Sequence, residues 1–201
     1  MSKKRAIVGA ALATFLVPAA SIAQSADRPA IWSGAYIGVG AGGSWSENQS
    51  SAGGPTSTHS SYGSRAKALI GYNLQAGSAV YGVEAEVYRG FRTHQLSEAV
   101  YARAGLAQGN VLLFARLGVQ TGQSSVTWFN TTTGATSTDK QTVFGPAVGI
   151  GAEWAVAPTL LLRTDLTTHW SDFKSTSPGG NQLEVKGVST AVFGSVVYKF
   201  R

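Results

Sequence analysis

No cysteine occurs among the 201 residues. Disulfide staples, thiolate metal sites and thiol catalysis are therefore excluded, although an exported chain has access to an oxidising compartment. Charge is also scarce, at 13% of residues, and past the first 23 positions no uncharged apolar run approaches the roughly 20 residues of a membrane helix. A chain without such a helix crosses a bilayer only as a closed β-barrel, where every backbone N–H and C=O is paired on a neighbouring strand. The mean hydropathy of +0.03 is compatible with strands that are apolar on one side only.

What is present begins with Lys3, Lys4 and Arg5, then an apolar run from Ala6 to Ala20, then Ser21-Ile22-Ala23. Small residues at the first and third positions of that triplet suit signal peptidase, so residues 1–23 read as a secretory signal, with Ala26 as an alternative cleavage point. Residues 24–201 then form one domain, enough for eight strands of about 10 residues with their connections. The signal holds three of the basic residues behind the net charge of +6, leaving +3 on the mature chain. The sequence pI of 9.7 therefore describes the precursor, and no nucleic-acid partner is implied.

Eight segments carry β-patterning: 32–45, 65–75, 79–89, 99–106, 111–122, 142–154, 159–169 and 185–200. The gaps between them alternate. Long ones, at 46–64, 90–98, 123–141 and 170–184, are rich in Ser, Thr, Gly and Asn, while short ones fall at 76–78, 107–110 and 155–158. Long extracellular loops with short periplasmic turns characterise bacterial barrels, so the expected fold is all-β: an eight-stranded antiparallel up-and-down transmembrane barrel.

Side chains alternate along a strand with period two, and lipid rejects charge. Setting the lipid face from apolar residues alone (Ile37, Val39, Ile70, Tyr72, Val83, Leu113, Leu117, Ile150, Leu162 and Val192 among them) sends the charges of the spans to the other face. These are Arg65, Lys67, Glu84, Glu86, Arg103, Arg116, Glu153, Arg163, Asp165 and Lys199. Six are basic and four acidic, so an ionic network is expected inside a cylinder just wide enough for side chains to fill it. Arg89 has lipid-facing parity but sits at the rim, where an arginine reaches headgroups at little cost.

Glycines share the inward face at positions 38, 40, 42, 71, 105, 118, 149 and 151, where they make room for long charged partners and permit coiling. Aromatics at strand ends, namely Trp32, Trp45, Trp154, Tyr198 and Phe200, fit interfacial girdles.

The stretch Trp32-Ser33-Gly34-Ala35-Tyr36-Ile37-Gly38-Val39-Gly40-Ala41-Gly42 resembles the first strand of small opacity-like, OmpA-like outer-membrane barrels, the alphaproteobacterial outer-membrane immunogenic proteins. Ile70-Gly71-Tyr72-Asn73-Leu74-Gln75 and Tyr81-Gly82-Val83-Glu84-Ala85-Glu86 are similar to their second and third strands. Gly149-Ile150-Gly151-Ala152-Glu153-Trp154, Leu162-Arg163-Thr164-Asp165 and Trp170-Ser171-Asp172-Phe173 are similar to the sixth strand and the stretch after it. The resemblance implies an outer-membrane location, contact with lipid and lipopolysaccharide, and a structural or surface-interaction role without catalysis or cofactor. It also implies that Val196, Tyr198 and Phe200 form the C-terminal signal read by the barrel-assembly machinery, here with Arg201 beyond it.

Other motifs weigh less. Gly38 to Gly43 has GxGxxG spacing but opens no helix, so nucleotide binding is not expected. His169 and Ser171, with Glu184, echo the His-x-Ser pair and glutamate of lipid A deacylase barrels, and a carboxylate-oriented histidine is the base such a serine requires. Their inward parity is wrong for a substrate in the surrounding lipid. His59 and His94 stand in loops without metal-ligand spacing, and Trp128-Phe129 is a candidate contact for a surface ligand carried by the long loops. A lipid A-modifying enzyme barrel, a narrow small-solute porin and a soluble lipocalin-like carrier are the competing readings.

Overall fold

In the computed structural model the described residues are 31–51, 56–92, 96–129, 136–176 and 182–200. The expected signal at 1–23, His94 and Arg201 fall outside them. Eight strands run in order: β1 Gly34–Ser51, β2 Ser57–Ala76, β3 Ala79–Gly90, β4 Leu96–Gln108, β5 Val111–Phe129, β6 Thr136–Ala157, β7 Leu160–Thr176 and β8 Gln182–Lys199. Each pairs antiparallel with the next, and β8 returns to β1 to close the barrel. Closure leaves no strand edge, the condition hydrocarbon imposes on any sheet.

At one end β2 joins β3, β4 joins β5 and β6 joins β7 through two residues each: Gly77-Ser78, Gly109-Asn110 and Pro158-Thr159. Gly77 and Gly109 have φ of 62° and 59°, the left-handed conformation that two-residue hairpin turns place at their first position. Both chain ends of the barrel lie on this side, which makes it periplasmic.

At the opposite end the strands run further than their composition indicates. Residues 46–51, 57–64, 123–129, 136–141, 170–176 and 182–184, read from the sequence as loop, are strand. Pairing continues to Ser50 opposite Ser57, Phe129 opposite Thr136, and Thr176 opposite Gln182. Strands of 12 to 22 residues exceed the 9–11 or so that cross a bilayer, so the barrel projects into the extracellular medium. Once lipid is left behind, nothing requires alternate residues to be apolar, and Ser, Thr and Gly extend a ladder whose register is already set.

The two faces separate as expected within the span. Val39, Ile70, Val83, Leu117 and Ile150 are exposed on the outside, while Lys67, Glu84, Arg103, Arg116 and Arg163 are buried inside. Arg89 is exposed.

Candidate functional site

The lumen is stacked in layers, because inward residues at one height on eight strands must fill one cross-section. Nearest the turns is an apolar layer of Trp32, Tyr36, Leu69, Val80, Leu112, Leu161 and Val197. Trp32, read from the sequence as part of an outer girdle, is only 1% exposed here. It shares the inward parity of Tyr36 and Gly38, and its backbone N–H donates to Gln75 Oε1 at 3.0 Å. Trp45, Trp154, Tyr198 and Phe200 do face outward.

Above that layer lies the ionic one, made of eight of the ten charges expected inside. Lys67 reaches Glu86 at 3.0 Å and Asp165 at 2.6 Å. Arg116 bridges Glu84 and Glu86, both at 2.8 Å, and Asp165 at 2.7 Å. Arg163 meets Glu84 at 2.7 Å and donates through Nε to Glu153 at 2.7 Å, which Arg103 also reaches at 2.9 Å. All eight are between 1 and 4% exposed. Four cations face four carboxylates, so the layer is neutral, and each carboxylate has at least two cationic neighbours within 4.0 Å.

Aromatic groups bind this layer together. The Tyr36 hydroxyl donates to Glu84 at 2.8 Å and accepts from Arg103 at 3.0 Å. Arg103 stacks 4.0 Å from the Phe114 ring centre, Arg116 4.5 Å from Tyr101, and Lys67 Nζ 4.7 Å from Phe193. The inward glycines accommodate these rings as much as the charges. A Cβ at Gly71 would collide with the Tyr36 ring, one at Gly151 would lie 2.5 Å from Phe114, and one at Gly118 2.7 Å from Tyr101, whereas at Gly149 the side-chain neighbour is Arg116 at 2.8 Å. Tyr88 donates to Glu86 and, with Tyr101 and Phe193, caps the layer.

The remaining two expected members stand apart from the network. Arg65 is half-buried above it, and no ion pair involves it among the described residues. Lys199 lies at the periplasmic end, with Nζ donating to the Ile31 carbonyl at 2.5 Å. The excess of two cations in the sequence is thus split between the two ends. Parity assigns a face but not a height, and it grouped all ten.

Above Tyr88 and Phe193 the lumen opens into a vestibule of about 570 Å³. Its wall includes Ser44, Ser46, Asn48, Gln120, Gly122 and Ser189, with Arg65, Arg92 and His169 as the basic groups. It was not anticipated from the sequence, where Ser44, Gln120, Gly122 and Ser189 fall in strands but Ser46, Asn48 and Arg92 fall in gaps; the clue was the inward parity of Ser44 and Ser189 on their strands.

The sequence profile of the outer membrane protein beta-barrel domain matches residues 9–200. The chain belongs to this family. It is an outer-membrane β-barrel of eight strands, and it resides in the cell outer membrane. Two solved barrels resemble it at a TM-score of 0.50. One is Neisserial surface protein A, 20% identical, with 84% of this chain and 98% of that one covered. The other is the outer membrane protein OprG from Pseudomonas aeruginosa, 12% identical, with 84% and 97% covered. At these identities the likeness is one of fold. No curated protein matches the chain.

In this outer-membrane barrel the suspected triad does not assemble. Ser171 lies opposite Gly187, whereas Glu184 lies opposite Lys174, three register positions further out. Glu184 is engaged by Lys186 at 3.5 Å and Lys174 at 3.9 Å. His169 and Ser171 both face the vestibule. His59 is exposed on the β2 extension, and among the described residues no cluster of three His, Asp or Glu is placed to hold a metal. The Gly38 to Gly43 run is β1 backbone and opens no helix. Trp128 and Phe129 end β5 in the projecting hairpin.

Proposed function

We propose that this outer-membrane barrel has a structural and surface-contact role, lending integrity to the envelope and presenting its projecting hairpins to the environment, without conduction or catalysis. The observation that carries the reading is the neutral ionic layer between two apolar and aromatic ones. A solute would have to break charge-assisted hydrogen bonds among buried groups, each break leaving an uncompensated charge at a cost of roughly 3–5 kcal/mol. The separation of Glu184 from Ser171 supports the absence of acyl-transfer chemistry.

The partners this role implies are outer-membrane lipid and lipopolysaccharide around the apolar band, a surface ligand at the hairpins, and the barrel-assembly machinery during biogenesis. For the last, Val196 and Tyr198 lie on the outer face of β8, and the rings of Tyr198 and Phe200 meet edge-on at 5.3 Å between centres. They form an exposed aromatic terminus next to the closing seam, where the Phe200 N–H donates to the Ala35 carbonyl.

Planar-bilayer recording of the reconstituted protein tests the reading. Silent membranes are the expected result, and steady single-channel steps would replace it with a narrow small-solute porin.

A further inference from the structure

The vestibule is unusual in how it is charged. Arg65 rises from its floor and Arg92 stands at its mouth, with the His169 ring set into its wall, and no aspartate or glutamate among the described residues offsets the two arginines. Five acidic residues of the surrounding strands point or are held elsewhere. Glu86 and Asp165 are held below by Lys67 and Arg116. Glu47 and Glu98 lie one position from the inward Ser46 and Ser97, so alternation turns them outward, and Glu184 is engaged by lysines.

One ring nitrogen and one guanidinium inside are unmatched. His169 is 8% exposed, and its Nε2 has no hydrogen-bond partner among the described residues. No hydrogen bond or ion pair involves Arg65 among them either. A buried ring nitrogen and a half-buried guanidinium left in this way are costly unless something completes them. Around them stand serine hydroxyls, with Ser46 donating to Ser189 across the β1–β8 seam at 2.8 Å.

We infer that the vestibule is a binding site for an oxyanion carried on a small polar molecule, a phosphate or sulfate ester of a sugar, with Arg65 as its principal anchor. The guanidinium fork matches two oxygens of such a group, and the serine and asparagine side chains suit sugar hydroxyls. A volume near 570 Å³ lies in the usual range for small-ligand sites, roughly 300–1,000 Å³. Because the floor is sealed, the ligand enters and leaves from the extracellular side. The inference deepens the surface-contact reading and rests on it.

Calorimetric titration of the folded, detergent-solubilised barrel with glucose 6-phosphate, and with glucose as the uncharged control, tests it. Binding of the phosphate ester alone is expected. Arg65→Gln should weaken it about tenfold, the order of one charge-assisted bidentate contact, while the outward Arg89→Gln leaves it unchanged. Ser46→Trp, which puts a bulky ring into the vestibule while leaving both arginines in the sequence, should also abolish binding, so the test survives if Arg65→Gln fails to fold. Repeating the titration in phosphatidylcholine vesicles with and without lipopolysaccharide separates the sources. A lipid-borne phosphate as occupant weakens glucose 6-phosphate binding only when lipopolysaccharide is present, whereas a soluble ligand leaves the two equal. No heat at millimolar ester, or equal affinity in the wild type and both variants, overturns the site. Silent bilayers alongside that failure would leave the surface-contact reading standing.

Discussion

The lower and upper halves of the lumen are built by the same eight strands, yet one is filled and the other hollow. Below, Tyr36, Tyr101, Phe114 and Arg116 occupy the space where a Cβ on an inward glycine would stand. Above, inward positions carry Ser44, Ser46, Gly122 and Ser189, whose combined volume leaves the space open. Closure, strand number and alternation are common to both halves. Solidity is therefore decided by side-chain volume at each height, with glycines such as Gly71 acting as sockets below and Gly122 as open wall above.

The largest effect should come from the carboxylate at the centre of the filled half. Glu84 takes hydrogen bonds from Arg103, Arg116, Arg163 and Tyr36. Glu84→Ala leaves three guanidiniums short of a partner, with an expected loss of about 3–5 kcal/mol, readable as a lower urea midpoint for the folded band on unboiled gels.

A paired substitution sharpens the contrast between sockets and wall. Gly71→Ala drives a methyl into the Tyr36 ring and disturbs its bond to Glu84, for a loss of about 1–3 kcal/mol. Gly122→Ala, with nothing within 4 Å of the added carbon, should stay within about 0.5 kcal/mol of wild type. Equal losses at both sites would mean that the vestibule is not open.

The smallest effect is expected at Ser171. With Glu184 three register positions out of line, Ser171→Ala should leave the lipid A acylation pattern unchanged by mass spectrometry. A shifted pattern would restore the enzyme reading.

The fold was legible because two constraints act on every residue of a span: period-two alternation and the exclusion of charge from lipid. Together they gave the strand count, the outer face and the inward direction of Glu84, Arg103 and Arg163. Strand ends were not legible, since beyond the bilayer the second constraint lapses and the Ser- and Thr-rich hairpin flanks 46–51 and 57–64 look like loop although they are strand. Trp32 escaped for a different reason: its place at a strand end suggested a girdle, although it shares the inward parity of Tyr36 and Gly38. The split of ten inward charges into a neutral eight plus Arg65 and Lys199 depends on height along the barrel axis, which comes from stagger between strands and not from parity. The vestibule was missed because hollowness is a sum over eight strands, invisible in any one of them.

The central claim is that hydrocarbon meets the uncharged face while the charges are enclosed. The absence of cysteine makes it directly testable, since single cysteines placed at Val83, Leu117 and Ser46 can each carry a nitroxide spin label in reconstituted bilayers. The account predicts that labels at Val83 and Leu117 are relaxed by oxygen and shielded from a water-soluble nickel chelate, with the reverse at Ser46. Chelate access at Val83 and Leu117 together with a lipid-exposed Ser46 would contradict it.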